Sequence, residues 1–346
     1  QLIRFVSSHE VGHTLGLRHN FGSSSTVPVE KLRDKAWVEA NGHTPSIMDY
    51  ARFNYVAQPE DSISEKGLFP RIGDYDKWAI EWGYRWFPDA ATAEAEKPIL
   101  NKLTIEKLKD NRYWFGTETN PDDPHSQNED LGDNAMKAGA YGIKNLQRIM
   151  PNLMEWTREP NADYENLSEL YTQLIIQYGR YMGHVTKNIG GIYEIPKTVE
   201  QQGAVYSYTP RTTQKEAMEF LIKQLFATPH WLINSDILNR IGNTGLSVVS
   251  TRQDAILNRL ISTSTISKLL SMEAELHQNA YTAADMLTEL KQGIWTELKG
   301  RKPIDIYRRN LQKLYVERIG QIVKPLAPSA GISFRIGAPA AMLDTR

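Results

Sequence analysis

The chain is organised around residues 9–19, which read His9-Glu10-Val11-Gly12-His13-Thr14-Leu15-Gly16-Leu17-Arg18-His19. This pattern, H-E-x-x-H-x-x-G-x-x-H, predicts a helix that presents its first two histidines on one face, one turn apart. Gly16 lets the chain leave that helix through a backbone angle that other residues resist, so that His19 can return to the same point. Three imidazoles with a fourth position left open are the arrangement expected of catalytic rather than structural zinc. The sequence therefore predicts a Zn²⁺ site made of His9, His13 and His19.

Glu10 follows the first histidine and is rotated from it by about 100° around the helix axis. This rotation keeps the carboxylate out of the ligand set but within reach of a water on the metal. Glu10 is therefore the candidate general base. The alternative explanation is an amphipathic helix with incidental histidines.

A second motif, Ser46-Ile47-Met48-Asp49-Tyr50, follows downstream. Together with the histidine pattern it resembles the metzincin metallopeptidases, whose signature includes a Met-turn after the zinc helix. The resemblance implies that Met48 forms an apolar floor under the imidazoles. It also implies that Tyr50 is a weak zinc ligand or an oxyanion partner, as in the astacin-like and serralysin-like branches. Taken alone, Met48 and Tyr50 would be explained by ordinary core packing.

Residues 72–84, 129–133 and 141–146 resemble a group of bacterial zinc-dependent metalloproteases with a long C-terminal domain of unknown function. This resemblance implies an extracellular or cell-envelope location. Asn20, after the third histidine, differs from the acidic or serine residue of the best-known metzincin branches, so the branch stays open. Metzincins also carry a sheet-containing upper half before the zinc helix. We therefore expect this chain to be a fragment that lacks its N-terminal part, which leaves open whether the fragment itself binds zinc or is active.

The fold class predicted from these patterns is mainly α, with the zinc helix and Met-turn as a metzincin lower subdomain. A composition shift at residues 88–97 divides the chain into residues 1–90, the C-terminal half of a metzincin catalytic domain, and residues 91–346, a mostly helical bundle-like domain. Apolar spacing predicts one-sided helices around residues 218–226 and 311–323. Alternation predicts a short hairpin from residues 190–195 and 204–208. The aromatic stripe of Tyr75, Trp78 and Trp82 is interpreted as core.

The composition excludes several classes of function. The 346 residues are 40% hydrophobic and 23% charged, which is typical of a globular protein. A net charge of −1 gives no electrostatic argument for binding nucleic acid or an anionic membrane surface. No run approaches the ~18 to 20 apolar residues of a membrane span. The absence of cysteine excludes disulfides and thiol catalysis and leaves histidine as the zinc ligand.

Two weaker features remain. The acidic loop at residues 122–133 carries enough oxygen ligands for an additional Ca²⁺, although its spacing is not that of an EF-hand. A solvated loop with helix caps is the favoured interpretation of this loop. The four isolated histidines are expected to be structural or surface residues: His43, His184, His230 and His277.

The main functional hypothesis is a zinc metallopeptidase that hydrolyses a protein or peptide substrate with Glu10 as base. Tyr50 is expected to donate a hydrogen bond to the developing oxyanion. The alternative hypothesis is a catalytically incomplete helical interaction or scaffold fragment of a larger protease. Hydrolysis of a non-peptide amide uses the same machinery and stays open.

Overall fold

The computed structural model describes residues 1–116 and 120–323. These residues confirm the mainly helical fold class with one small antiparallel sheet. The strands are β1 (Ile192–Glu194) and β2 (Tyr206–Tyr208). The α-helices are α1 (Leu2–Thr14), α2 (Lys35–Asn41), α3 (Glu65–Leu68), α4 (Asp74–Tyr84), α5 (Ala93–Lys107), α6 (Ala135–Ile149), α7 (Leu153–Trp156), α8 (Glu165–Thr186), α9 (Arg211–Leu221), α10 (Ser235–Leu238), α11 (Gly245–Leu260), α12 (Thr263–Leu276), α13 (Ala283–Ile294), α14 (Thr296–Gly300) and α15 (Ile306–Val323).

Helix α8 is the central element of the helical body, because it packs against α6, α9 and α11. Its apolar residues recur every three or four positions from Leu167 to Val185, and this spacing places them on a buried stripe. The stripe includes two buried tyrosines whose hydroxyls donate to backbone carbonyl oxygens. Tyr171 Oη bonds Leu232 O at 2.9 Å, and Tyr178 Oη bonds Gln224 O at 2.6 Å. The phenols are therefore buried without losing hydrogen bonds.

The predicted hairpin is confirmed. Strands β1 and β2 pair antiparallel, with Ile192 opposite Tyr208 and Glu194 opposite Tyr206. The predicted helix at residues 218–226 begins as α9 and continues beyond Leu221 as a π-helical segment, Ile222–Phe226, with the expected apolar face buried.

Helix α15 shows the predicted one-sided packing only in part. Leu311 is buried, and Leu314, Tyr315 and Ile319 pack against the core, but Val323 at the end of the helix is 72% exposed. No helix among the described residues combines the length and apolar character that a membrane crossing requires.

The aromatic stripe of α4 is not simply core, which corrects the interpretation from sequence. Trp78 is buried, but Trp82 is 45% exposed, because the stripe faces an open groove rather than another packed element.

The division at residues 88–97 stays a prediction. One hydrophobic cluster contains residues from both sides of it, including Val29 and Tyr55 together with Leu131 and Tyr181.

The acidic loop joins the N-terminal segment to the helical body. Glu129 forms ion pairs with Arg52, at 3.2 Å, and with Arg180 of α8, at 2.8 Å. The backbone N–H of Leu131 donates to Tyr55 Oη at 3.1 Å. These contacts fix the turn around residues 46–55 against α8, so the helical body supports the region in which the predicted site lies.

Candidate metal centre

Helix α1 ends as the histidine motif predicts. Gly16 has φ +83°, in the left-handed region. The N–H of Gly16 bonds His13 O at 2.9 Å and the N–H of Leu17 bonds Gly12 O at 3.0 Å, which together form a Schellman motif. This reversal directs the chain back along the helix, and His19 thereby reaches the first two histidines.

Met48 lies directly under the zinc helix. It is fully buried in a turn, Ile47–Asp49, and it packs in a small cluster with Phe5 and Ile47. A Cβ at Gly12 would lie 2.6 Å from Met48 Sδ, so a side chain there would displace either the helix or the methionine. Glycine between the two histidines is therefore required for this close approach. Met48 therefore packs against α1 between the first two histidines, and its role as a floor under the imidazoles stays a prediction.

The three predicted histidines converge. His9 Nε2 and His13 Nε2 lie 3.3 Å and 3.1 Å from His19 Nε2, and the candidate ligand atoms of all three lie within 4.8 Å of one another. Among the described residues, this is the one group of three or more histidines and carboxylates placed closely enough to hold a metal ion. His9 is buried, whereas His13 and His19 are only partly buried, so the cluster is accessible to solvent.

The tautomers of two of these histidines follow from their hydrogen bonds. His9 Nδ1 lies 3.0 Å from Ile47 O, and His13 Nδ1 lies 2.9 Å from Leu17 O. Because a carbonyl oxygen can only accept, Nδ1 of each ring carries a proton, and in the neutral imidazole each Nε2 therefore presents a bare lone pair. Burial also lowers the pKa of His9, which favours its neutral form.

These lone pairs fit zinc. Two nitrogens that each lie about 2.0–2.1 Å from a tetrahedral ion are roughly 3.3–3.4 Å apart. The observed separations from His19 are 3.3 Å and 3.1 Å. Without a cation, the Nε2 lone pairs of His9 and His13 would both need a donor. The available donor would be at most a single N–H, on His19 Nε2. The donor set therefore fits a divalent ion with a preference for imidazole.

The two predicted chemical residues lie beside this cluster. Glu10 is exposed on α1, next to His9. Tyr50 caps the turn in a left-handed conformation, φ 52°, and its ring centroid lies 5.0 Å from that of His9 and 4.7 Å from that of His19. The turn therefore places the ring of Tyr50 next to His9 and His19, and its chemical role stays a prediction.

Sequence reasoning missed Asp76, a buried carboxylate at the start of α4. Asp76 Oδ2 accepts from Ile47 N at 2.8 Å, and Asp76 Oδ1 accepts from Ser46 Oγ at 2.7 Å. Ile47 O is the acceptor for His9 Nδ1. A continuous chain of hydrogen bonds therefore runs from Asp76 through the turn to the first histidine, and such contacts orient metal ligands. The available signal was an aspartate three residues after Gly73, a position from which a side chain caps a helix start.

Asn20, whose identity leaves the metzincin branch open, has a structural role. It is fully buried, its amide donates to Trp114 O at 3.0 Å, and its Oδ1 accepts from Gly116 N at 2.8 Å. Its own N–H bonds Met48 O at 3.0 Å. Asn20 therefore joins the third histidine, the Met48 turn and the segment around Trp114.

The possible Ca²⁺ site in the acidic loop is not supported. Within the described part of the chain, the loop carboxylates do not converge as a metal group, because they are engaged separately. Asp122 pairs with Lys268, Asp123 accepts from the N–H groups of His125 and Glu194, and Asp133 accepts from Val29 N. The loop is also largely buried rather than solvated, which corrects the favoured interpretation as well.

The comparisons with known proteins agree with this centre. A protein-family model described as Met-zincin matches residues 1–302. No curated protein and no solved structure matches the chain. The matched region includes the three converging histidines, the Met48 turn and most of the helical body. The chain therefore belongs to the Met-zincin family, a metzincin-type family of metalloproteases.

Proposed function

We propose that this protein is a zinc-dependent endopeptidase, with His9, His13 and His19 as the metal ligands. The observation that carries the proposal is the convergence of the histidine Nε2 atoms, two of which present a lone pair in the neutral imidazole because their Nδ1 atoms donate to backbone carbonyls. Such a set holds a metal without protonated nitrogens having to be displaced. The ion lowers the pKa of water toward about 7 and polarises a substrate carbonyl when it is bound.

Glu10 is the proposed general base and acid. Its position beside His9 in the chain and its exposure to solvent support this assignment. It accepts a proton from the attacking water and then donates that proton to the leaving amine nitrogen. Tyr50, whose ring lies against His9 and His19, donates a hydrogen bond to the oxygen of the scissile carbonyl as negative charge develops on it. The Ser46–Tyr50 stretch is accordingly the proposed Met-turn.

The proposed substrate is a protein or peptide, and the proposed location is extracellular or in the cell envelope. These two assignments rest on membership of the Met-zincin family. Zinc content separates the proposal from the alternative of a helical scaffold fragment. A scaffold would fold equally well without the ion and would not turn over peptides.

The decisive test is Glu10→Gln in the intact protein, assayed on a mixed peptide library with zinc content measured in parallel. Loss of the general base should lower turnover by roughly 10²–10⁴-fold. Zinc should stay bound, because Glu10 is not a ligand. Glu155→Gln, at an exposed position on α7, is the matched control and should keep the activity of the unmodified protein. Undiminished cleavage by Glu10→Gln would show that the base is assigned wrongly.

A further inference from the structure

An apolar groove lies beside the loop that connects the second and third histidines. Its volume is about 620 Å³, within the range of ligand-binding clefts. Three parts of the chain line it: the turn at residues 15–18, the aromatic face of α4 and the segment around Trp114. Trp82 and Tyr84, which both line the groove, are 45% and 63% exposed. Large aromatic side chains at an open cleft are typical of binding surfaces.

The groove is structurally continuous with the metal centre. Leu17, in its wall, supplies the carbonyl that accepts from His13 Nδ1, and its side chain packs against the cluster that contains Met48. Tyr84 Oη donates to Leu15 O at 3.2 Å, which ties the end of α4 to the same wall. A chain that occupies the groove therefore contacts the backbone that positions the histidines.

The shape of the groove favours an extended occupant. A second cavity, also about 620 Å³, shares several lining residues with the first, among them Leu108, Trp114 and Pro196, and continues to His125. Two adjoining cavities suit a polypeptide in an extended conformation better than a compact small molecule, because an extended chain advances about 3.3 Å per residue.

The apolar lining restricts the occupant further. The lining of the first cavity is dominated by aromatic and aliphatic side chains, and the second cavity carries charges of both signs, Lys197 and Glu200. A lysine or arginine of an occupant would lose hydration against the apolar lining of the first cavity. Apolar and aromatic side chains would be stabilised by burial against the α4 stripe.

From these features we propose that the groove is a substrate-binding extension of the active site that selects peptide segments rich in aromatic and aliphatic residues and free of basic ones. This inference rests on the proposed peptidase function, since it is the substrate chain that connects the groove to the metal centre. It assigns Trp82 as a specificity-determining residue.

The test uses Glu10→Gln protein, in which binding can be measured without cleavage. Two fluorescein-labelled synthetic peptides of equal length serve as probes, one with a Leu-Phe-Leu-Phe segment and one with Lys-Ser-Lys-Ser in its place. The apolar peptide should bind more tightly. Trp82→Ala should weaken it by roughly 10–30-fold, the loss expected for a central aromatic contact. Trp156→Ala, at a tryptophan that is 61% exposed on α7 outside the groove, is the matched control and should bind as the parent does.

In the Glu10-containing protein, Trp82→Ala should raise KM for peptides with the apolar segment and leave kcat unchanged. Circular dichroism melting verifies that each variant folds. If Trp82→Ala is unstable, Ala79→Arg is the second variant, because it places a cation in the groove wall and should also weaken binding of the apolar peptide. Equal binding of both probes, or binding that neither variant weakens, would refute the groove as a substrate-binding site. The peptidase function would still stand if cleavage persisted. Trp82-dependent binding without any cleavage would retain the groove and refute the peptidase. Self-association that depends on Trp82 would assign the groove to a second copy and overturn the inference.

Discussion

The histidine cluster and the acidic loop both carry several metal-ligating side chains, but they differ in how those side chains are engaged. In the cluster, backbone carbonyls occupy Nδ1 of His9 and His13 and leave Nε2 of both directed at His19. In the loop, Asp122 forms an ion pair with the ammonium group of Lys268, and Asp123 accepts hydrogen bonds from backbone N–H groups.

The comparison shows that the number of ligating residues does not decide whether a segment is arranged to hold a metal ion. The loop at residues 122–133 contains more candidate ligand atoms than the histidine motif, yet its charges hold chain segments together. In the motif three histidines converge, and the Nδ1 hydrogen bonds of His9 and His13 leave their Nε2 atoms directed at His19. Metal capacity depends on this convergence and on the groups that support it.

The largest expected effect is on zinc affinity in His13→Ala. Removal of one of three ligands should weaken zinc binding by more than the roughly 10–100-fold typical of losing an outer supporting group. His230→Ala, at an exposed histidine, is the matched control and should bind zinc as the unmodified protein does. Competition with a chromophoric chelator measures both affinities, and equal values would break the distinction between the two regions.

A smaller effect on zinc is expected for Asp76→Ala, because Asp76 acts through the turn and not on the ion. Loss of its bonds to Ile47 N and Ser46 Oγ should loosen the carbonyl that orients His9 and weaken zinc binding by roughly 10–100-fold. Asp76→Asn keeps the acceptor for one of these donors and should recover part of the affinity. If Asp76→Ala binds zinc as tightly as the unmodified protein, the supporting role of α4 is disproved.

The buried histidines outside the cluster, His43 and His184, are expected to make the stability of the protein depend on pH. Burial lowers the pKa of His43 and of His184 to about 4, against an ordinary value of 6.5. The unfolded chain therefore binds more protons between these pH values, and the free energy of unfolding falls as pH drops from 6.5 to 4. The contribution of each histidine is about 3 kcal/mol over that window.

His184 offers the cleaner test, since its Nε2 bonds Asn128 O of the acidic loop at 2.8 Å. Urea unfolding of His184→Gln and of the unmodified protein, at pH 7 and pH 4.5, isolates this contribution. The variant should lose less stability on acidification than the unmodified protein. Identical losses would mean that His184 does not resist protonation in the folded state.

The smallest expected effect on metal binding is that of Asp123→Asn. Zinc affinity should be unchanged and calcium should not raise the melting temperature of either protein, because Asp123 is engaged by the N–H groups of His125 and Glu194. A calcium-dependent rise that Asp123→Asn abolishes would restore the loop as a metal site.

The sequence was sufficient to predict the features that depend on local spacing. His9, His13 and Gly16 follow from helix geometry and a single reversal, and the hairpin at β1 and β2 follows from alternation. The bonds of Asp76 and Asn20 were not predictable, because their partners lie 29 and up to 96 residues away and depend on how the elements pack. The exposure of Trp82 has the same cause: a periodic apolar stripe indicates a face, not what covers it.

The central claim is that three histidine nitrogens share one zinc ion. X-ray absorption at the zinc edge of the intact protein, combined with metal analysis, tests it most directly. The account predicts one zinc per chain, with three imidazole nitrogens at about 2.0–2.1 Å and the fourth position filled by oxygen. Zinc held by fewer than three imidazoles, or a folded intact protein that retains no zinc at all, would contradict it.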